Sequence, residues 1–94
     1  MNIATMQKKQ YRFINDPGHG WLEVPIAEID ALGIAGKISG YSYVKNGMAY
    51  LEEDQDLGVF VDAWEALHGE RLICADVYQE ETPIREYRHW PGTF

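Results

Sequence analysis

The sequence predicts a single α+β domain, in the order ββαββαβ, with an antiparallel or mixed sheet that carries both helices on one face. Three observations predict it. Asn46-Gly47 lies between two alternating runs, the strongest short-range signal for a hairpin, because both residues tolerate the positive φ of a type I′ turn. Leu57, Phe60, Val61, Trp64 and Leu67 form an apolar stripe at helical spacing. A chain of 94 residues with 46% hydrophobic and 13% aromatic side chains can build one modest core but not two, so residues 1–94 are read as one domain.

The elements follow in order. Residues 1–10 carry Lys8 and Lys9 but no apolar run, and are expected to be flexible. Tyr11–Ile14 and Trp21–Val24 read as short strands separated by Asn15-Asp16-Pro17-Gly18-His19-Gly20, where Pro-Gly marks a turn. Pro25 suits the first position of a helix whose Ile26, Ile29 and Leu32 recur at three-residue spacing. Gly33 ends it, with Ile34 placed to meet Ile29 across a Schellman-type stop.

Ile38–Lys45 and Met48–Leu51 flank the Asn46-Gly47 turn, and a two-residue loop then fixes the register: Lys45 with Met48, Val44 with Ala49, Tyr43 with Tyr50, Ser42 with Leu51. Alternation puts Ile38, Gly40, Ser42, Val44, Ala49 and Leu51 on a core face, and Tyr41, Tyr43, Lys45, Met48 and Tyr50 on the other. The second helix should run from about Asp56 to Leu67, with Asp54 and Asp56 at its positive end and Gly69 past its last turn. Leu72–Tyr78 reads as a final strand with Ile73, Ala75 and Val77 on one face and Cys74 as a small apolar core residue. Residues 83–94, basic and aromatic, form a tail without usable periodicity.

Charge narrows the function classes. The net charge is −7, and residues 51–94 hold three basic against eleven acidic side chains, a net of −8. Such a field repels phosphate backbones and attracts basic protein surfaces, so direct nucleic-acid binding is disfavoured. One cysteine makes no intramolecular disulfide or zinc knuckle, and no run approaches the ~18 apolar residues of a membrane span. A cytoplasmic protein without membrane attachment is expected, its oligomeric state open.

No catalytic constellation stands out, and no cofactor is expected. Cys74 in an apolar strand should have a raised thiol pKa and low reactivity. Glu52-Glu53-Asp54-Gln55-Asp56 lacks the alternation, glycine and closing glutamate of an EF-hand loop. The tyrosine face offers contact area at low entropy cost, unless the chain ends cover it. Tyr41, Tyr43, Tyr50, Glu52 and Glu53 are therefore the candidate partner-binding residues of a non-catalytic interaction protein.

Two resemblances bear on this reading. Asp16-Pro17-Gly18-His19-Gly20, directly after a strand, resembles the metal-binding turn of zinc-dependent N-acetylmuramoyl-L-alanine amidases, which implies His19 as a zinc ligand and a zinc hydrolase as one alternative function. The resemblance covers five residues, and the later histidine, His68, lies in Ala66-Leu67-His68-Gly69 rather than the family's Ser-x-His-x-Asn context. No metal site is expected. Across about residues 11–88, Asp16–Val24, Ile38–Tyr43, Tyr50–Asp54 and Pro83–Arg85 resemble a family of small uncharacterised phage, prophage and bacterial proteins. That resemblance implies a mobile-element context, where small proteins act by binding host proteins: an accessory or anti-defence factor, anti-CRISPR-like in form, whose partner is a host protein with a basic surface. A small-molecule or nucleotide-binding protein using Tyr41, Tyr43 and Tyr50 is the other alternative.

Overall fold

Asn46 and Gly47 adopt φ of 52° and 81°, as a type I′ turn requires, and the hairpin they close has the register set by a two-residue loop: Tyr43 opposite Tyr50, Val44 opposite Ala49, Lys45 opposite Met48. A computed structural model gives the fold, and it describes residues 10–92. The expectation for the N-terminal residues falls outside that range up to residue 9.

The strands are β1 (Gln10–Asn15), β2 (Gly20–Pro25), β3 (Tyr43–Lys45), β4 (Met48–Glu52), β5 (Ile73–Tyr78) and β6 (Arg88–His89), and the helices are α1 (Ile26–Ala31) and α2 (Leu57–His68). The fold is α+β: one six-stranded sheet in the order β5-β1-β2-β4-β3-β6. It is mixed, because β5 pairs with β1 in parallel while the other pairs are antiparallel. A parallel neighbour needs a crossover, and α2 lies in the connection from β4 to β5. Gly20 lets the Phe13 ring lie close to the backbone where β1 meets β2: a Cβ there would come within 2.3 Å of the ring tip, and Phe13 would have to shift.

Both helices pack on one face, where Tyr11, Leu22, Val24, Ala49 and Leu51 of the strands meet Ile29, Phe60 and Trp64. Tyr11 sets its ring edge-on to Phe60 and Trp64 at 5.6 and 6.3 Å. A second cluster of Ile14, Trp21, Tyr50 and Ile84 fills the opposite face. Ile84 comes from a 3-10 turn, Pro83–Glu86, in the segment read as an unpatterned tail; Thr82 caps the turn, its hydroxyl accepting from the Ile84 amide at 3.2 Å. The next residues then form β6 against β3. A single 3-10 turn and a two-residue strand are too short to leave a periodic signature.

Three expectations need correction. The strand read over Ile38–Lys45 is ordered as a strand only from Tyr43, because Ser39 and Ser42 turn around the Asp56 carboxylate. Asp56 occupies the N-cap position of α2 yet makes no cap bond; its side chain is spent on those serines. Cys74 is exposed rather than core, since β5 is the outermost strand. Partial burial and then the charge of Asp76 still push its thiol pKa up.

Trp64, 8% exposed between Tyr11 and His68, anchors α2. Trp64→Ala should destabilise the fold by about 3–5 kcal/mol, read as a fall in the urea midpoint; an unmoved midpoint would show that the helix does not depend on this ring. The buried phenols give a pH signature. Burial and then the charge of Glu23 push the Tyr50 pKa up to about 12, and burial with a hydrogen bond to Glu28 raises that of Tyr11. In the unfolded chain a tyrosine ionises near ~10, so this stability is complete below that pH and is lost as pH climbs towards the folded value. The urea midpoint should therefore fall between about pH 10 and 12, and Tyr50→Phe should flatten part of that fall.

Candidate functional site

Asp16 organises the turn between β1 and β2. Its Oδ1 accepts from the amides of Gly18 and His19 at 2.9 and 2.8 Å, and the Asp16 amide donates to the His19 carbonyl at 2.9 Å. Arg85, delivered by the Pro83–Glu86 turn, grips the same carboxylate with two nitrogens, at 2.8 Å to Oδ2 and 3.2 Å to Oδ1. Burial pushes the Asp16 carboxyl up, but Arg85 and the two amides outweigh it and the net position is below the usual carboxylate range.

Arg85 also donates to His19 Nδ1 at 2.6 Å. A guanidinium only donates, so Nδ1 supplies a lone pair and the imidazole proton sits on Nε2. A catalytic triad has the reverse arrangement, with a carboxylate accepting from the imidazole so that the far nitrogen can act as base. Here the far nitrogen is a donor. The ring stacks on Trp21 at 5.8 Å, and the Arg85 guanidinium lies over the same indole at 5.2 Å.

This assembly forms one side of a cavity of about 370 Å³. Tyr41, Tyr43, Glu52, Asp54 and Gln55 complete its lining. Tyr41 is 66% exposed at the apex of the loop held by Asp56, and Tyr43 is half-buried against His89, with ring centroids 4.6 Å apart. Glu52 accepts from the Asp54 amide at 2.9 Å, which folds the acidic turn back towards the sheet. Trp21 forms part of the cavity wall, and its buried indole Nε1 has no hydrogen-bond partner.

The candidate residues thus part company. Tyr41, Tyr43 and Glu52 meet at the cavity. Tyr50 belongs to the core, 8% exposed under Tyr87 at 5.3 Å with its hydroxyl on Glu23, so it has no surface to offer a partner. The C-terminal segment covers that end of the tyrosine face and leaves Tyr41 open. Glu53 points away from Glu52 into a second depression with Phe13, Asp76 and Tyr78, as alternation at a strand end dictates. His19 joins the cavity as the partner of Arg85, while His68 lies at the end of α2, stacked on Trp64 with Nδ1 on the Trp64 carbonyl. Among the described residues no group of three or more His, Cys, Asp or Glu side chains is placed to hold a metal ion.

Sequence reasoning missed Trp21 and Arg85. Trp21 was read only as a strand residue, and Arg85 lies 69 residues from Asp16, a pairing no local pattern reveals. No family model, curated protein or solved structure matches the chain. No helix of the described residues is long and apolar enough to cross a membrane.

Arg85→Ala should leave the Asp16 carboxylate, whose side chain is 3% exposed, without its charged partner and cost about 2 kcal/mol, the half-exposed arginine keeping this below the cost of breaking a fully buried pair. A depressed carboxyl stabilises above its unfolded pKa of ~3.9, and that contribution disappears as pH falls through the folded value. The wild type should thus lose more of its stability in acid than Arg85→Ala does, and denaturant midpoints falling in parallel for the two below about pH 4 would refute the pairing.

Proposed function

We propose that this chain is a non-catalytic interaction protein that docks its acidic half onto a basic surface of another protein. One observation supports this above the others: Tyr41, the most open aromatic at the site, shares a cavity with Glu52 and Asp54 in a half of the chain that carries −8. Aromatic area beside carboxylates is the composition of a contact centre for cationic side chains. Glu53, Glu80 and Glu81 are exposed acids of the same half and add to its negative field. A phage-derived anti-defence factor occupying the nucleic-acid channel of a host protein, in the manner of an anti-CRISPR, is the concrete form this reading favours. Such channels are basic, and an acidic protein competes for them by the same electrostatics that bind the nucleic acid.

The charge separates association from lifetime. Against a host protein captured on the immobilised chain, the association rate should fall several-fold as ionic strength rises to about 0.15 M, where the Debye length is about 8 Å. Glu53→Lys with Glu81→Lys, both exposed, should slow association further and leave the melting temperature nearly unchanged. Indifference to both salt and charge reversal would reduce the acidic half to a solubilising surface and sink the proposal.

A further inference from the structure

The sheet ends in two unlike edges. At one end β6 is two residues long and Pro91 follows shortly after, so that edge offers almost no backbone to a newcomer. At the other end lies β5, six residues in unbroken register with β1, without a proline, lysine or bulge to blunt it. Two contacts fix which way its backbone groups point. The Gln79 amide donates to the Asn15 carbonyl at 2.8 Å and the Val77 carbonyl accepts from the Asn15 side-chain amide at 3.5 Å, so the odd-numbered residues face β1. Alternation then directs the amides and carbonyls of Cys74, Asp76 and Tyr78 outwards, where no described residue pairs with them. The Leu72 amide, just before the strand, is taken by Glu65 at 2.9 Å. Apolar surface collects on the same strand: Ile73 and Tyr78, 38% and 57% exposed, are two of the four exposed large apolar side chains among the described residues.

We propose that β5 pairs antiparallel with β5 of a second copy about a twofold axis at Ala75, joining two sheets into one. Parity and charge select this register. A twofold through the sheet brings residues of like parity opposite each other, so centring on Ala75 sets Ile73 against Val77 of the second copy and Cys74 against Asp76. Each Cys74 then exchanges amide and carbonyl bonds with the Asp76 opposite it, and each Tyr78 amide meets a Leu72 carbonyl. Centring on Asp76 would set two carboxylates face to face, and centring on Cys74 would leave Val77 against Arg71. Ile73, Ala75 and Val77 share the face of the Ile14 cluster, against which Val77 already packs, so the pairing continues that apolar surface across the joint. A strand of another protein meets the same backbone groups without this self-match, which selects the second copy. Pairing along a single strand is at the small end of interfaces, and the dimer is reversible, with a dissociation constant on the order of 100 µM. The inference rests on β5 and is independent of the docking through Tyr41.

Sedimentation of the whole chain in reductant should show a monomer–dimer equilibrium that tightens several-fold between about 0.05 and 0.5 M salt, because each copy carries −7 and screening relieves the repulsion. Docking onto a basic surface has the opposite salt dependence. Ile73→Lys, at an exposed position, lowers the net negative charge, so electrostatics alone predicts tighter dimers, whereas edge pairing predicts at least a tenfold loss. Asp76→Pro removes an outward amide and leaves the bonds to β1 in place, and should also abolish the dimer; if it unfolds the chain, Ile73→Lys decides. In the wild type, the amides of Cys74, Asp76 and Tyr78 should gain protection from hydrogen exchange as concentration rises. A chain still monomeric at about 1 mM, a dimer indifferent to Ile73→Lys, protection gained elsewhere than β5, or a dimer seen only without reductant would overturn the inference. If the chain stays monomeric while salt still weakens its association with the captured partner, docking stands and edge pairing falls; dimers without a captured partner would give the reverse.

Discussion

The arrangement of the site depends on one buried carboxylate. Asp56 is 2% exposed and accepts from the Ser39 amide, the Ser39 hydroxyl and the Ser42 hydroxyl. An ionised carboxylate out of water is tolerated only when donors replace its hydration, so the chain from Ser39 to Ser42 has to wrap around it. Ser42 carries the constraint onwards, since its oxygen also accepts from the Glu52 amide at 2.9 Å and its carbonyl accepts from the Trp90 amide at 2.8 Å. The start of α2, the end of β4 and the C-terminal segment are thereby tied to one loop. Tyr41 projects from that loop between the two serines, and its exposure is the consequence.

Asp16 plays the corresponding part for His19 and Arg85, which also line the cavity. It too is a buried acid satisfied by a turn, but it adds a charged partner from far along the chain. The two acids differ in what they stabilise. Asp56 shapes a loop through neutral donors within 17 residues, whereas Asp16 and Arg85 fasten the C-terminal turn over the sheet and so help seat Ile84 in the second core cluster. With helices on one face and this turn on the other, a sheet whose strands show only modest apolar alternation is buried on both sides. Trp21 is then enclosed between the core and the cavity, the one described side chain with a buried nitrogen left unpaired.

Charge and aromatic surface contribute to different stages of an encounter. Exposed acids act at a distance and are screened by salt, so they govern approach more than stability or lifetime. In the proposed docking the open Tyr41 ring would bury its area on contact, and contact area of that kind sets how long a complex lasts. The acids on the second half and the tyrosines of the hairpin belong to separate stretches of sequence, and Glu52 and Asp54 join them at the cavity.

The sequence by itself determined the α+β class, the hairpin register, both helices and the charge asymmetry, because each is written in neighbouring residues: Asn46-Gly47 dictates a type I′ turn, and the spacing of Leu57, Phe60 and Trp64 dictates an amphipathic helix. Tyr41, Tyr43 and Glu52 were legible as candidate site residues for the same reason. Only the tertiary structure decided which of the tyrosines is open. Tyr50 and Tyr41 share a predicted face, yet Ile84 and Tyr87 return over one and leave the other bare. It also decided that β5 runs parallel to β1, that the Ile38–Ser42 stretch turns instead of pairing, and that Arg85 meets Asp16 and His19. These outcomes rest on contacts between residues far apart in the chain, selected by burying apolar surface and satisfying buried carboxylates, and such pairings leave no periodic trace in a single sequence.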